Sequence, residues 1–292
     1  MRTFVRVAVT LSIVFGLSSA AAGQGSPPSF NVTVTGRGPA IVLIPGLLST
    51  GEVWSSTVER YQKQYTLHTV TLAGFGGPPP IGSPFLSRVR DELIAYIRDQ
   101  KMQKPIVIGH SLGGFLAFWI AATAPDLAGG VIAVDGVPYL PALGNPAATP
   151  ETTAAMAKQM QTIYASLSQE QLIAQSRMAM TTMMTAPADV DRAMAWVARS
   201  DAATAGRAVA EMMLTDVRTE VAKITAPALL IGALGSAPEP MRPTLEKAYR
   251  AQVAQLPESR VKLAGTRHFI MLDDPSFLFA AIDEFLASLP KR

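Results

Sequence analysis

Four short runs along the chain, Ala40–Ile44, Ile106–Ile108, Gly130–Val134 and Ala226–Gly232, have almost no polar position. A strand of that kind is buried on both faces, as in the middle of a parallel sheet. Phe30–Thr35 instead alternates apolar with polar residues, Thr66–Leu72 reads as a further strand, and Arg260–Leu263 as a short last one. Between these runs the period changes. Leu86, Val89, Leu93 and Ile97 recur at helical spacing up to about Gln100, and Val53, Trp54, Val58 and Tyr61 suggest an earlier helix. Further helices are expected after Ser111 through Ala122, from Pro243 to Leu256, and from Pro275 to Leu289. Strand and helix in alternation predict an α/β fold, a mostly parallel central sheet with helices on both faces.

The alternation pauses between Pro138 and about Thr219. That stretch is helical by pattern and rich in Ala, Thr and Met, with nine of the thirteen methionines between Met156 and Met213. It reads as an insertion, residues 138–219, into one sheet domain formed by 23–137 and 220–292. Methionine is apolar, unbranched and adaptable, which suits the roof of a pocket for an acyl or alkyl group. Spacings such as Met156/Met160 and Met180/Met184 equally suit packing between helices, and Trp196 fits either role.

Residues 1–22 are set apart from this pattern. Arg2 and Arg6 precede an apolar stretch from Val7 to Leu17, and Ala20-Ala21-Ala22 follows, which reads as a secretory signal peptide. The expected location is therefore periplasmic or secreted. The sequence has no cysteine, so neither a disulfide nor a lipid-anchoring thiol is available. The formal charge of +3 falls to +1 without Arg2 and Arg6, which gives no reason to expect nucleic acid or an anionic membrane as partner. The partner implied is a small molecule with an apolar acyl or alkyl group.

One stretch carries candidate chemistry. Gly109-His110-Ser111-Leu112-Gly113 falls where a buried strand gives way at once to an apolar helix. To present its hydroxyl from so sharp a corner, Ser111 needs a strained backbone, and the residues two positions away must lack bulk for helix to lie close on strand. The strand is expected to break at Gly109. Three histidines are available to activate the hydroxyl. His110 adjoins the serine and is expected to point away from it, and His68 lies inside a strand as a packed or surface residue. No metal-ligand spacing is present, and the glycines at 74, 76 and 77 run into three prolines where a dinucleotide-binding helix would have to begin. No cofactor is expected.

Four segments together resemble the α/β-hydrolase fold family: Pro45-Gly46-Leu47, Gly74-Phe75-Gly76, Gly109-His110-Ser111-Leu112-Gly113-Gly114, and Gly265 to Pro275 with His268 inside it. The resemblance covers nearly all of the chain from residue 23 outside the insertion, and it implies that residues 138–219 form a helical cap. It makes Ser111 the nucleophile and His268 the general base. It places the backbone oxyanion donors at Leu112, next after the serine, and in the loop after Ile44, at Leu47. Many relatives carry the triad acid after the next-to-last strand, where this chain offers only Glu239. Some carry it at the end of the strand after the serine helix, where Asp135 stands. Asp135 is preferred, with Glu239 the alternative. The activity implied is cleavage of a carboxylic ester through an acyl-enzyme. Lipase, thioesterase, C–C hydrolase and perhydrolase chemistry share such a site, as does a binding protein that has lost turnover. A serine at the corner argues against the dehalogenases and epoxide hydrolases of the fold, which need a carboxylate there.

Overall fold

Residues 27–290 are described by a computed structural model. The stretch read as an export signal, residues 1–22, lies outside the described residues. Seven strands form one sheet: β1 (Phe30–Gly36), β2 (Ala40–Ile44), β3 (Thr66–Leu72), β4 (Ile106–His110), β5 (Gly130–Val134), β6 (Ala228–Ala233) and β7 (Ser259–Ala264). Their order is β1-β3-β2-β4-β5-β6-β7. Every residue of β4, β5 and β6 is buried, and β1 and β7, at the two edges, carry the exposed positions. The apolar runs are therefore central because they have no face to give to water.

All pairings are parallel except that of β1 with β3. β1 does not fold back on its neighbour in sequence. The Gly36–Gly38 bend carries the chain past β3, and Val34 pairs with His68. Around the sheet lie α1 (Ser55–Tyr61), α2 (Leu86–Asp99) and α3 (Leu112–Thr123), the last packed on β2, β4 and β5.

Between β5 and β6 the chain forms four helices, α4 (Pro150–Ser166), α5 (Gln169–Met183), α6 (Pro187–Val197) and α7 (Ala202–Leu214). Their starts are written locally: Thr149 and Ser168 close capping boxes, Asp201 accepts the Thr204 amide, and Pro150 and Pro187 occupy first turns. The segment is tied to the sheet domain at several points. The Glu211 carboxylate of α7 accepts the amides of Phe85 at 2.8 Å and Leu86 at 2.6 Å, so it caps α2, which has no cap of its own. Asp201 donates its amide to the Gly74 carbonyl at 2.7 Å. Trp196 is fully buried and its indole donates to Glu52 at 3.1 Å. Met180, Met184 and Met194 pack into the main core, whereas Met156 and Met178 face solvent. Packing thus accounts for these three methionines and for Trp196.

The chain closes with α8 (Arg242–Gln252), the single turn α9 (Ile270–Asp273) and α10 (Pro275–Ser288). Among the described residues, no helix is long and apolar enough to cross a membrane.

Candidate active site

Ser111 is the only residue between β4 and α3. Its φ of 54° and ψ of −119° lie where side-chain-bearing residues are strained. The neighbouring glycines make the corner possible. A Cβ on Gly109 would lie 1.9 Å from the Gly113 carbonyl oxygen, and one on Gly113 would lie 2.2 Å from that of Ile44. The strand does not break at Gly109 as the sequence suggests. It continues through His110, because Gly109 and His110 still pair with Ala133 and Val134 of β5. Glycine is needed there for the approach of helix to strand, and not to end the ladder.

The strain is not confined to the serine. Leu48, in the loop after β2, and Asp135, at the end of β5, have φ of 56° and 48°. All three stand where parallel strands end, which is where this kind of sheet opens a crevice. The Ser111 amide donates to the Val134 carbonyl at 2.9 Å, so the corner is fixed directly to the strand that ends in Asp135.

Asp135 and His268 meet although 133 residues separate them, with His268 Nδ1 2.5 Å from Asp135 Oδ2. A carboxylate only accepts, so Nδ1 carries the proton and Nε2 is left with a free lone pair. The other oxygen, Oδ1, accepts the Ala233 amide at 2.9 Å and the Tyr249 hydroxyl at 2.5 Å. Glu239, the alternative partner, is exposed in a short turn before α8. Burial, and after it the Asp135 charge, push the Tyr249 phenol far above its ordinary range, so it keeps its proton and donates.

His110 packs beside the base. It is fully buried, its ring centroid lies 4.6 Å from that of His268, and its Nε2 donates to the His268 carbonyl at 3.2 Å. Burial, then the neighbouring His268, hold its imidazole well below the ordinary value, so it is neutral. A Cβ on Gly46 would lie 3.0 Å from His110 Nδ1 and 3.1 Å from Ser111 Cβ, so the loop after β2 presses against both residues. His68 is buried and hydrogen-bonded to the Tyr96 hydroxyl at 2.9 Å, a packed residue of β3.

Leu47 lies in that same loop and Leu112 is the first residue of α3. Among the described residues, neither amide donates a hydrogen bond, which leaves both available to an anion. The positive end of α3 adds to that preference. No cluster of three or more His, Cys, Asp or Glu side chains that could hold a metal ion occurs among the described residues.

The loop carrying His268 is anchored to the α5–α6 turn. Arg267 donates to the carbonyls of Thr181 at 2.8 Å and Met184 at 2.6 Å, and Asp273 accepts the amide and hydroxyl of Thr185 at 2.8 and 2.9 Å. Sequence reasoning singled out neither this anchor nor Tyr249. Tyr249 sits on the buried face of an amphipathic helix, where an aromatic residue reads as packing. Gly232 is the one local trace, since a Cβ there would lie 2.8 Å from the Tyr249 ring.

Residues 41–282 match the model of the alpha/beta hydrolase family. The chain is 39% identical over 103 residues to a pimeloyl-[acyl-carrier protein] methyl ester esterase from Aliivibrio salmonicida, a match covering 35% of this chain and 38% of that protein. In three dimensions it is similar to a hydrolase from Pseudomonas aeruginosa PA01, with a TM-score of 0.73, 17% identity, and coverage of 91% of this chain and 100% of the other. An enol-lactonase from Burkholderia xenovorans LB400 gives a TM-score of 0.70 at 17% identity, covering 89% of this chain and 96% of that one.

Proposed function

Because the chain belongs to the alpha/beta hydrolase family, we propose that it is a serine hydrolase that cleaves a carboxylic ester through an acyl-enzyme on Ser111. The observation that carries this reading is the 2.5 Å bond between His268 Nδ1 and Asp135, which follows β5 directly, beside the strained Ser111 corner at the end of the neighbouring β4. In the proposed cycle His268 Nε2 takes the Ser111 proton as Oγ attacks the ester carbonyl. Asp135 holds the imidazole in the required tautomer and balances the charge it gains. The oxyanion that forms is met by the Leu47 and Leu112 amides, each such donor contributing about 2.7–4 kcal/mol to the transition state. His268 returns the proton to the departing alkoxide. A water activated in the same way then releases the acid and restores Ser111.

The curated relative named above is a methyl ester esterase, which makes esters of small alcohols the first substrates to try. Residues 138–219 are proposed to act as a cap over the site. The apolar stretch at Val7–Leu17 and the alanines at 20–22 support export to the periplasm or beyond. N-terminal sequencing of protein recovered from cell fractions tests that part.

The test of the activity is hydrolysis of p-nitrophenyl esters of increasing acyl length, with covalent labelling by a fluorophosphonate. Ser111→Ala is expected to abolish labelling and lower kcat by roughly 10⁵–10⁶-fold while the protein stays folded. A wild-type protein that binds esters yet neither turns over nor becomes labelled would make it a binding protein on this scaffold.

A further inference from the structure

We propose that Tyr249 is a positioning residue that sets the orientation of the acid paired with His268; this rests on the hydrolase reading above. The Asp135 carboxylate is shared three ways. Oδ2 faces His268, while Oδ1 is held by the Ala233 amide at 2.9 Å and the Tyr249 hydroxyl at 2.5 Å. With both oxygens engaged, the carboxylate has one rotamer that satisfies every partner. Oδ2 is thereby aimed at the imidazole before any substrate arrives.

The surroundings indicate a fitted site and not a chance contact. Tyr249 is buried to 3% exposure, and its hydroxyl reaches Asp135 from α8, 114 residues along the chain. Its ring lies against β6 only because residue 232 is glycine. A Cβ there would come within 2.8 to 2.9 Å of Cγ, Cδ2 and Cε2 of the ring, closer than carbon atoms pack. Asp135 itself is held in a left-handed backbone conformation, φ 48°, so its direction is imposed by its surroundings. The phenol keeps its proton under burial and the adjacent charge. It is therefore a donor to Asp135 throughout the cycle.

The chemical consequence is orientation. Without the donor on Oδ1 the carboxylate is freer to rotate, so fewer molecules hold the His268 ring with Nδ1–H on Oδ2 and Nε2 free to act as the base. The other titratable or charged groups near this pair are few. His110 packs against the His268 ring and is neutral. Beside His268 in the chain, Arg267 is turned to the α5 carbonyls and Asp273 to Thr185 and the Arg267 amide.

The experiment compares wild type, Tyr249→Phe, Gly232→Ala and the double variant in ester hydrolysis from pH 5 to 9. Active sites are counted by fluorophosphonate titration, so that any misfolded fraction drops out of kcat. Tyr249→Phe keeps the ring and removes only the hydroxyl. Its kcat is expected to fall about tenfold, as for a lost hydrogen bond to a charged group, with KM unchanged, a split that a general loss of structure would not give. Gly232→Ala displaces the ring and is expected to do the same. The double variant should be no worse than the poorer single, because both remove one bond. An unchanged kcat in Tyr249→Phe, or losses that multiply in the double variant, would overturn the proposal. Those outcomes leave the hydrolase reading intact, whereas wild type that is neither active nor labelled removes both.

Discussion

Two carboxylates compete for the same role in the chain's chemistry, and only one of them is bonded to an imidazole. Asp135 has an 8% exposed side chain and bonds to His268, Tyr249 and the Ala233 amide, whereas Glu239 is exposed. Asp135→Asn is nearly isosteric but puts an amide where His268 Nδ1–H needs an acceptor, which favours the wrong tautomer. A loss in kcat of about 10⁴-fold is expected, with KM little changed. Glu239→Gln is expected to leave kcat within twofold of wild type. Steady-state kinetics of the two purified variants decide it, and a collapse with Glu239→Gln alone would move the acid to the later loop. The serine corner was legible because its constraints are local. Gly109 is demanded by a contact within one turn, 1.9 Å from a Cβ to the Gly113 carbonyl, and Gly113 completes the same short motif although the backbone it must clear, at Ile44, lies on β2. Tyr249 and His110 were not legible as partners of the site. Their contacts cross more than a hundred residues, and a buried aromatic in an amphipathic helix has the same pattern whatever it touches.

Among elements, the four helices of residues 150–214 are held to the sheet domain by polar contacts as well as by packing, and one of these can be removed cleanly. Glu211 supplies the cap that α2 lacks, accepting two backbone amides that would otherwise face no acceptor. Glu211→Ala is expected to lower stability by about 1–2 kcal/mol, the usual range for a lost helix cap. Urea titration followed by circular dichroism measures it, and esterase kcat should not change, since Glu211 bonds to the start of α2 and not to the serine, histidine or acid. An unchanged urea midpoint would mean that solvent replaces the carboxylate at no cost. The helices themselves were readable from their own ends, through Thr149, Ser168, Asp201 and two prolines. Their docking was not, because which helix face meets which loop depends on partners such as Glu52, Gly74 and Phe85, all more than a hundred residues away. The sheet shows the same division. Four apolar runs announced four buried strands, while nothing near Gly36–Gly38 announces that β3 lies between β1 and β2.

For the molecule as a whole, acid resistance is set in part by imidazoles that folding keeps neutral. His110 is fully buried, its value held well below the ordinary 6.5 by burial and then by His268, and His68 is shifted the same way by burial. A folded value below the unfolded one means that the unfolded chain binds the extra proton. Stability from this source is therefore complete above about pH 6.5 and is lost as pH falls from there towards the folded value. Each histidine titrated only on unfolding adds at most about 1.4 kcal/mol per pH unit to that slope. The carboxylates of Glu52 and Glu92, both held low in the fold, act further down, with stability that is lost only as pH drops below 4.5. Between pH 6.5 and 5 the decline should thus come from histidine. Urea midpoints at pH 8, 6.5, 5.5 and 5 are expected to be level across the first pair and to fall across the rest. His110→Asn keeps a polar side chain without a titrating ring, so its midpoint should start lower yet fall less steeply over the same acid range. Parallel declines in the two proteins would show that His110 takes up its proton in the folded state, and would remove it from the acid response.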